Sequence, residues 1–288
     1  MRRSPPRPAR PAGPRPSGRA ARRPPPPETS EAPAPDTAPR PGAGAGSGAL
    51  WLYGLHAVVA ALGNPRRTLR RLLVTAEGEA ALLAALGGKT PRPRPERVER
   101  ARFHTFLPED SLHQGIALLT EPLQPVPLEE AIAEGRGPVL LLDQVTDPRN
   151  VGAILRSAAA FGAAAVVMQD RHAPPETGAL ARAASGMLER VPVVREVNLA
   201  RAIQQLQRQG FWALGLAADA ARTLAQAVHG LGERRVALVL GAEDAGLRRL
   251  QREACDELVR LPMAPGVESL NVAAATAVAL YELVREAP

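Results

Sequence analysis

Residues 262–282 read Pro-Met-Ala-Pro-Gly-Val-Glu-Ser-Leu-Asn-Val-Ala-Ala-Ala-Thr-Ala-Val-Ala-Leu-Tyr-Glu. A loop punctuated by Pro and Gly runs directly into a helix built almost wholly of small apolar residues. Glu268, Ser269 and Asn271 crowd the joint. Ser269 can cap that helix, its hydroxyl accepting from one of the orphan N–H groups of the first turn. One residue suffices for a cap, so three polar groups beside a Pro/Gly loop point to a binding turn. Ala273, Ala274, Ala275 and Ala277 let another backbone come very close, which suits a tight core or a subunit interface.

Two further stretches belong with this one. Residues 143–162 read Asp-Gln-Val-Thr-Asp-Pro-Arg-Asn-Val-Gly-Ala-Ile-Leu-Arg-Ser-Ala-Ala-Ala-Phe-Gly and follow the apolar run Val139–Leu142. Residues 236–247 read Val-Ala-Leu-Val-Leu-Gly-Ala-Glu-Asp-Ala-Gly-Leu. Taken in order, the three segments resemble the motifs of the SpoU (TrmH-type) branch of the SPOUT RNA methyltransferases, and the resemblance covers roughly residues 50–288. Three ordered motifs over about 140 residues are far more specific than a lone Gly-rich turn. Asp244 departs from the pattern, since many relatives carry Gly there. Asp tolerates turn and left-handed conformations, so the loop is expected to keep its shape.

Composition sets the bounds. Residues 1–49 hold nine Arg, three acids and fourteen of the thirty Pro, with no aromatic residue. Such a segment cannot bury enough apolar surface to offset ordering entropy, so it is expected to be a disordered basic tail. Its prolines also forbid the amphipathic helix of a transit peptide. The rest carries 27 basic and 26 acidic groups. Residues 50–120 have ten Lys/Arg against six Asp/Glu, whereas 138–288 have sixteen of each. Phosphate contacts should therefore concentrate in the tail and the first domain. Cys255 is the single cysteine, which excludes a disulfide framework and a Cys-based zinc site and reads as a reducing, cytoplasmic setting. No apolar run is long enough for a transmembrane helix.

The expected organisation is a tail (1–49), a small α/β domain (50–120), a linker with a short helical middle (121–137) and a larger α/β domain (138–288). In the small domain, Leu55, Val58, Val59 and Leu62 have helical spacing, Leu69–Thr75 reads as a strand, Glu79–Leu86 as a helix, and His113–Thr120 as a closing strand. The larger domain alternates. Its strands are expected at Val139–Asp143, Ala165–Gln169, Val191–Val194, Phe211–Ala217, Val236–Gly241 and Glu257–Leu261. Its helices are expected at Asn150–Phe161, Glu176–Ser185, Leu199–Gln209, Leu247–Ala254 and Ser269–Glu286. That alternation means a parallel sheet with helices on both faces. No Gly-x-Gly-x-x-Gly follows the first strand, so an ordinary dinucleotide-type site is not expected. What the resemblance adds is a C-terminal trefoil knot, in which the 262–268 loop and its helix thread an earlier loop, and a small RNA substrate-binding domain ahead of the catalytic one.

Methyl transfer to a ribose hydroxyl requires a held sulfonium donor, a placed 2′-hydroxyl, and a counter to the charge growing on its oxygen. Asn150, after Asp147-Pro148-Arg149, can cap the helix it opens; the resemblance gives it a ribose- or loop-positioning role. Arg156 lies on an otherwise apolar helix face. Relatives use the matching Arg in catalysis. A guanidinium stays protonated, so holding phosphate or the nascent alkoxide is the role that fits. Glu243 follows a strand's carboxyl end, where open parallel sheets bind ligands. It could orient Arg156 or the loop, or accept a proton. Ser269 and Asn271 match the family's Ser-Leu-Asn triplet. For the donor, S-adenosylmethionine, the resemblance implies a site formed largely by backbone groups of Gly241, Leu261, Met263 and Leu270, with Gly at 241 for close approach and the Leu261 and Leu270 side chains flanking the adenine. His56, His104, His113, His172 and His229 show no paired spacing, so no metal is expected. Arg92, Arg94, Arg97, Arg100 and Arg102 could grip RNA phosphates beside Phe103 and Phe106 for stacking, or form a merely solvated face.

The resemblance thus implies S-adenosylmethionine-dependent 2′-O-methylation of RNA by a homodimer, at a guanosine of large-subunit rRNA. A tRNA guanosine is the close alternative. A non-catalytic RNA-binding or ribosome-assembly protein on the same scaffold is the alternative from another class, and the presence of all five polar site residues argues against it.

Overall fold

The computed structural model describes residues 48–243 and 245–285. Expectations for the tail up to residue 47, for Asp244 and for Glu286 lie outside the described residues. The first four strands form one sheet: β1 (Leu50–Tyr53), β2 (Leu69–Val74), β3 (Pro95–Arg97) and β4 (Ile116–Thr120), in spatial order β1-β4-β2-β3. Helices α1 (Leu55–Gly63) and α2 (Ala76–Ala85) belong to this part, and α3 (Leu128–Glu134) is the expected helical middle of the connection. Thr75 starts α2 earlier than its apolar spacing suggests, because its hydroxyl accepts from Gly78 N at 3.1 Å.

Strands β5 (Val139–Leu142), β6 (Ala165–Gln169), β7 (Val193–Glu196), β8 (Phe211–Leu216), β9 (Arg222–Thr223), β10 (Arg235–Leu240) and β11 (Glu257–Arg260) form the second sheet. It is parallel throughout, in the order β7-β6-β5-β10-β8-β11-β9. Helices α4 (Pro148–Ala160), α5 (Gly178–Ala183), α6 (Leu199–Arg208), α7 (Leu224–His229), α8 (Arg249–Ala254) and α9 (Val272–Val284) complete it. Strand residues alternate between its faces. Leu140, Leu142, Val166, Met168, Leu238 and Leu240 pack with α4, α5, α7 and α9, while Val139, Leu141, Ala165, Val167, Ala237 and Val239 pack with α3 and α6.

Among the described strands and α-helices, four short ones escaped the sequence reading: β1, β3, β9 and α7. They run from two to six residues, too few for periodicity to register. Tertiary pairing defines β1, where Trp51 faces Leu119 of β4. Two expected caps are also corrected. Asp147, not Asn150, caps α4, with Oδ1 accepting from Arg149 N at 2.8 Å and Pro148 in the first turn. Asn271, not Ser269, caps α9, which therefore begins at Val272.

The two sheets share a core. Leu52, Leu72, Val74, Ile116 and Leu118 of the small sheet lie in the same buried cluster as α4 and α5. Contact between β1 and α5 is so close that a Cβ at position 178 would sit 2.4 Å from the Trp51 carbonyl oxygen, which only Gly178 avoids. Beside it, the fully buried Arg67 side chain ion-pairs with Glu189 and with Glu176, each at 2.5 Å, and donates to the Glu121 carbonyl at 2.8 Å. Burial pushes the Glu176 carboxyl up, against the pull of Arg67.

Candidate active site

Loops following the carboxyl ends of β8, β10 and β11 converge on a cleft of about 580 Å³. Leu216, Leu240, Gly241, Glu243, Leu261, Met263, Glu268, Ser269 and Leu270 line it. The four residues expected to hold a cofactor therefore meet in one place, together with Glu243 and Ser269. Leu261 and Met263 are half-buried, and Leu270 is 41 % exposed. Such uncovered apolar side chains around a concave site suit the face of a planar ring. Gly241 also permits a close approach within the chain itself. A Cβ there would lie 2.1 Å from the carbonyl carbon of Gly246, so the glycine lets the 241–246 loop close on itself.

Glu243 ties this loop to two helices. Its Oε1 accepts from Asn150 Nδ2 at 3.0 Å, from Asn271 Nδ2, and from Val272 N at 3.1 Å. Asn271 Nδ2 also donates to Asn150 Oδ1 at 3.0 Å, while its Oδ1 accepts from Ala273 N and Ala274 N. One triad thus joins the start of α4, the loop after β10 and the start of α9. Hydrogen bonds to a carboxylate are shorter and stronger than those between neutral groups, so the triad is a firm tie. Of the partners open to Glu243, Arg156 or the loop, its bonds among the described residues go to the loop's neighbouring helix ends and not to Arg156.

Arg156 points elsewhere. It is exposed on α4, has no hydrogen-bond or ion-pair partner among the described residues, and does not line the 580 Å³ cleft. It lies instead where two neighbouring grooves meet, sharing both with Ser185. Within one chain, then, the expected polar residues fall into two groups: Asn150, Glu243, Ser269 and Asn271 around the cleft, and Arg156 apart from them.

Around the cleft, sequence reasoning missed two ion pairs. Asp143, fully buried at the end of β5, accepts from Arg248 N, Nε and Nη2 at 2.6–3.2 Å and so anchors the far end of the 241–248 loop. A carboxylate directly after an apolar strand was the available signal. Asp219, on the loop after β8, and Arg252, on α8, pair at 2.8 Å and line the cleft with no motif to mark them.

The basic run of the small sheet is corrected in part. Arg92, Arg94, Arg97, Arg100 and Arg102 are exposed, but Phe103 is fully buried and cannot stack on a base. It lies parallel to the His113 ring at 4.4 Å, and Phe106 packs on Trp51. His113 Nδ1 accepts from Gly115 N at 3.1 Å, and burial, then Arg100 and His104, lower its affinity for a proton. Among the described residues no group of three or more His, Cys, Asp or Glu gathers as a metal site. No described helix is long and apolar enough to cross a membrane.

Comparison with known proteins gives matches over both sheets. Residues 137–281 match the family described as SpoU rRNA Methylase, and residues 51–126 the one described as RNA 2′-O ribose methyltransferase substrate binding. The chain is 39 % identical over 246 residues to the 23S rRNA (guanosine-2′-O-)-methyltransferase RlmB of Xanthomonas campestris, covering 82 % of this chain and 96 % of that one. The same-named protein of Escherichia coli K12 is 38 % identical over 240 residues, covering 82 % and 98 %. The SpoU methyltransferase AviRb from Streptomyces viridochromogenes, solved in complex with the cofactor AdoMet, shares the fold at a TM-score of 0.70 and 22 % identity, covering 83 % of this chain and 91 % of that one. A putative TrmH-family RNA methyltransferase from Porphyromonas gingivalis is 26 % identical with a TM-score of 0.64, covering 83 % and 91 %.

Proposed function

The chain belongs to the SpoU rRNA methylase family, and from that membership and the geometry of the cleft we infer that it methylates the ribose 2′-hydroxyl of a guanosine in 23S rRNA, using S-adenosylmethionine. The observation that carries this reading is the meeting of Gly241, Leu261, Met263 and Leu270 in one cleft beside the Glu243 triad. The lining fits the donor: apolar walls for a purine, and the carboxylates of Glu243, Glu268 and Asp219 around a site that must accept a sulfonium cation. When bound, the donor supplies an electrophilic methyl group. The chain supplies the rest. Leu261, Met263 and Leu270 exclude water from the ring, and Glu243 with Asn150 and Asn271 fixes the loops that form the walls. Ser269 contacts the substrate or the cofactor loop, Asn271 holds that loop in place, and Arg156 stabilises the growing alkoxide as a permanent cation.

Arg156 stands apart from the cleft of its own chain, so the reading includes a homodimer in which each cleft receives Arg156 from its partner. Val267, Leu270, Val278 and Tyr281 support this as an exposed apolar face on α9 and the loop before it, with Val278 50 % and Tyr281 57 % exposed. The small residues expected at an interface are partly used inside, since Ala273, Ala275 and Ala279 are buried. The reading also includes a trefoil knot in which the 262–268 loop and its helix thread an earlier loop, residues 50–120 as the RNA substrate-binding domain joined through 121–137 to the methyltransferase domain 138–288, and a cytoplasmic site of action without a metal. The test is methyl transfer from S-adenosylmethionine to 23S rRNA, with mapping of alkali-resistant ribose positions. Modification of a guanosine 2′-oxygen is expected; methyl groups found only on tRNA, or none at all, would overturn the reading.

A further inference from the structure

Arg149, Arg156 and Arg182 line one cleft of about 520 Å³ between the small sheet and helices α4 and α5. Among the described residues no carboxylate or hydrogen-bond acceptor meets any of their guanidinium groups. Elsewhere on the surface Arg70, Arg71, Arg97 and Arg222 each hold a glutamate. Asp110 is the acid that lines this cleft, and it pairs with none of the three. Like charges gathered in one concavity repel and raise the local potential, so the site is electrostatically incomplete without an anion. Three planar guanidinium forks match the oxygens of phosphodiesters far better than a single carboxylate.

The opposite wall belongs to the small sheet. Gln114 adopts φ 55, a conformation side chains rarely take, and its Oε1 accepts from Leu55 N at 3.1 Å. A Cβ at position 54 would stand 3.4 Å from that Oε1 and 3.7 Å from Arg182 Nε, so Arg182 reaches across to the first domain. Leu112, on the lining, is 64 % exposed. Cations beside an uncovered apolar surface offer a single strand both its needs: pairing for phosphates and a dry face for a base. The cleft also leads toward the chemistry, because Arg156 and Ser185 are shared with the next groove along α4, which Arg190 lines as well.

We propose that this interdomain cleft binds the phosphodiester backbone of single-stranded RNA next to the target nucleotide, with Arg149 and Arg182 as the phosphate-binding residues and Leu112 as a wall for a base. The proposal rests on the RNA-methylating reading above and adds residues from both domains to it. It is tested with full-length Arg149→Gln, Arg182→Gln, the double variant, Arg182→Lys, and Arg222→Gln as a control whose charge is paired with Glu257. Binding of a 23S rRNA fragment is measured over a range of salt, beside donor affinity by calorimetry and KM and kcat for methyl transfer. Each Gln variant is expected to reduce the log–log salt slope by roughly 0.7, and the double variant by about twice that. KM for RNA rises, with donor affinity and melting temperature unchanged; Arg182→Lys keeps the slope and Arg222→Gln alters nothing. A folded double variant with the parental slope and KM overturns the proposal. The slope is read without turnover, so an unaltered parental protein that binds but does not methylate would count against the enzymatic reading and leave the cleft judged by its own variants.

Discussion

Asn271 and Asn150, 121 residues apart in sequence, meet through a 3.0 Å hydrogen bond from Asn271 Nδ2 to Asn150 Oδ1. Asn271 is saturated: its second amide hydrogen goes to Glu243, and its oxygen caps α9. No isosteric change preserves all four bonds. In Asn271→Asp the cap survives, but both donated bonds are lost and a second carboxylate faces Glu243. Unfolding in urea should show a loss of about 1–3 kcal/mol. Donor affinity, read by calorimetry, should fall with it, because the loop that the triad holds lines the cleft.

Arg156→Ala should abolish methyl transfer and leave donor binding nearly intact, since its guanidinium is assigned to the substrate oxygen and does not line the donor cleft of its own chain. Removing one group that stabilises developing negative charge costs about 2–4 kcal/mol of barrier. Single-turnover rates with saturating donor, beside calorimetry on the same preparation, check this. Near-parental turnover in the folded variant would remove Arg156 from the reaction.

Phe103 and the arginines around it should behave oppositely. Phe103 is fully buried among Tyr53, Leu73, Leu107 and Ala117, so Phe103→Ala should destabilise the protein by about 3–5 kcal/mol. Arg100→Gln and Arg102→Gln, on exposed positions, should leave the unfolding midpoint unchanged. A neutral Phe103→Ala in urea denaturation would contradict the burial.

Much of this architecture was legible because apolar runs of four to six residues separated by helical spacing mark parallel strands reliably. The β5, β6, β8, β10 and β11 strands fall within a residue of their expected bounds. The cleft was legible too, since strand carboxyl ends followed by Gly and Pro say where loops gather. Partners were not. Asn150, Glu243 and Asn271 are separated by 93 and 28 residues, and nothing in a one-dimensional pattern pairs an amide with a carboxylate across such distances. The same holds for Phe103. Its place in an Arg-rich run suggested a surface, and only the packing of His113 over its ring shows it inside. Caps were misassigned for a related reason, because Asp147 and Asn150, or Ser269 and Asn271, are chemically equivalent candidates that only backbone geometry separates.

Stability should fall on mild acidification through His113. Burial holds its imidazole below the ordinary value, with Arg100 and His104 adding to the effect. A depressed folded value favours the neutral ring, which also keeps Nδ1 free to accept from Gly115 N. Its contribution is complete above about pH 6.5 and is lost as pH falls through the folded value, because the unfolded chain takes the proton first. Glu176, pushed up by burial, acts with the opposite sign, favouring the fold as pH falls. Comparison with His113→Phe isolates the imidazole: between about pH 7.5 and pH 5.5 the urea midpoint of the variant should drop less than that of the parent. Parallel curves would show that His113 does not titrate against the fold.

If each cleft takes Arg156 from the neighbouring subunit, two inactive variants should repair each other. Arg156→Ala retains an intact Glu243 triad but supplies no guanidinium, whereas Glu243→Ala supplies the guanidinium and lacks the triad. In a twofold dimer mixed at random, half the molecules are heterodimers, and each carries one site with both parts. Co-expressed subunits should therefore regain about a quarter of parental methyl transfer, while either variant alone stays inactive. A second arm removes the contact: Val278 and Tyr281 are exposed on α9, and a charge there has no place inside an apolar interface. Tyr281→Asp should sediment as a monomer, lose methyl transfer and abolish the complementation. Should Arg156 act on its own chain instead, the mixed dimers would stay inactive and a monomeric Tyr281→Asp would still turn over.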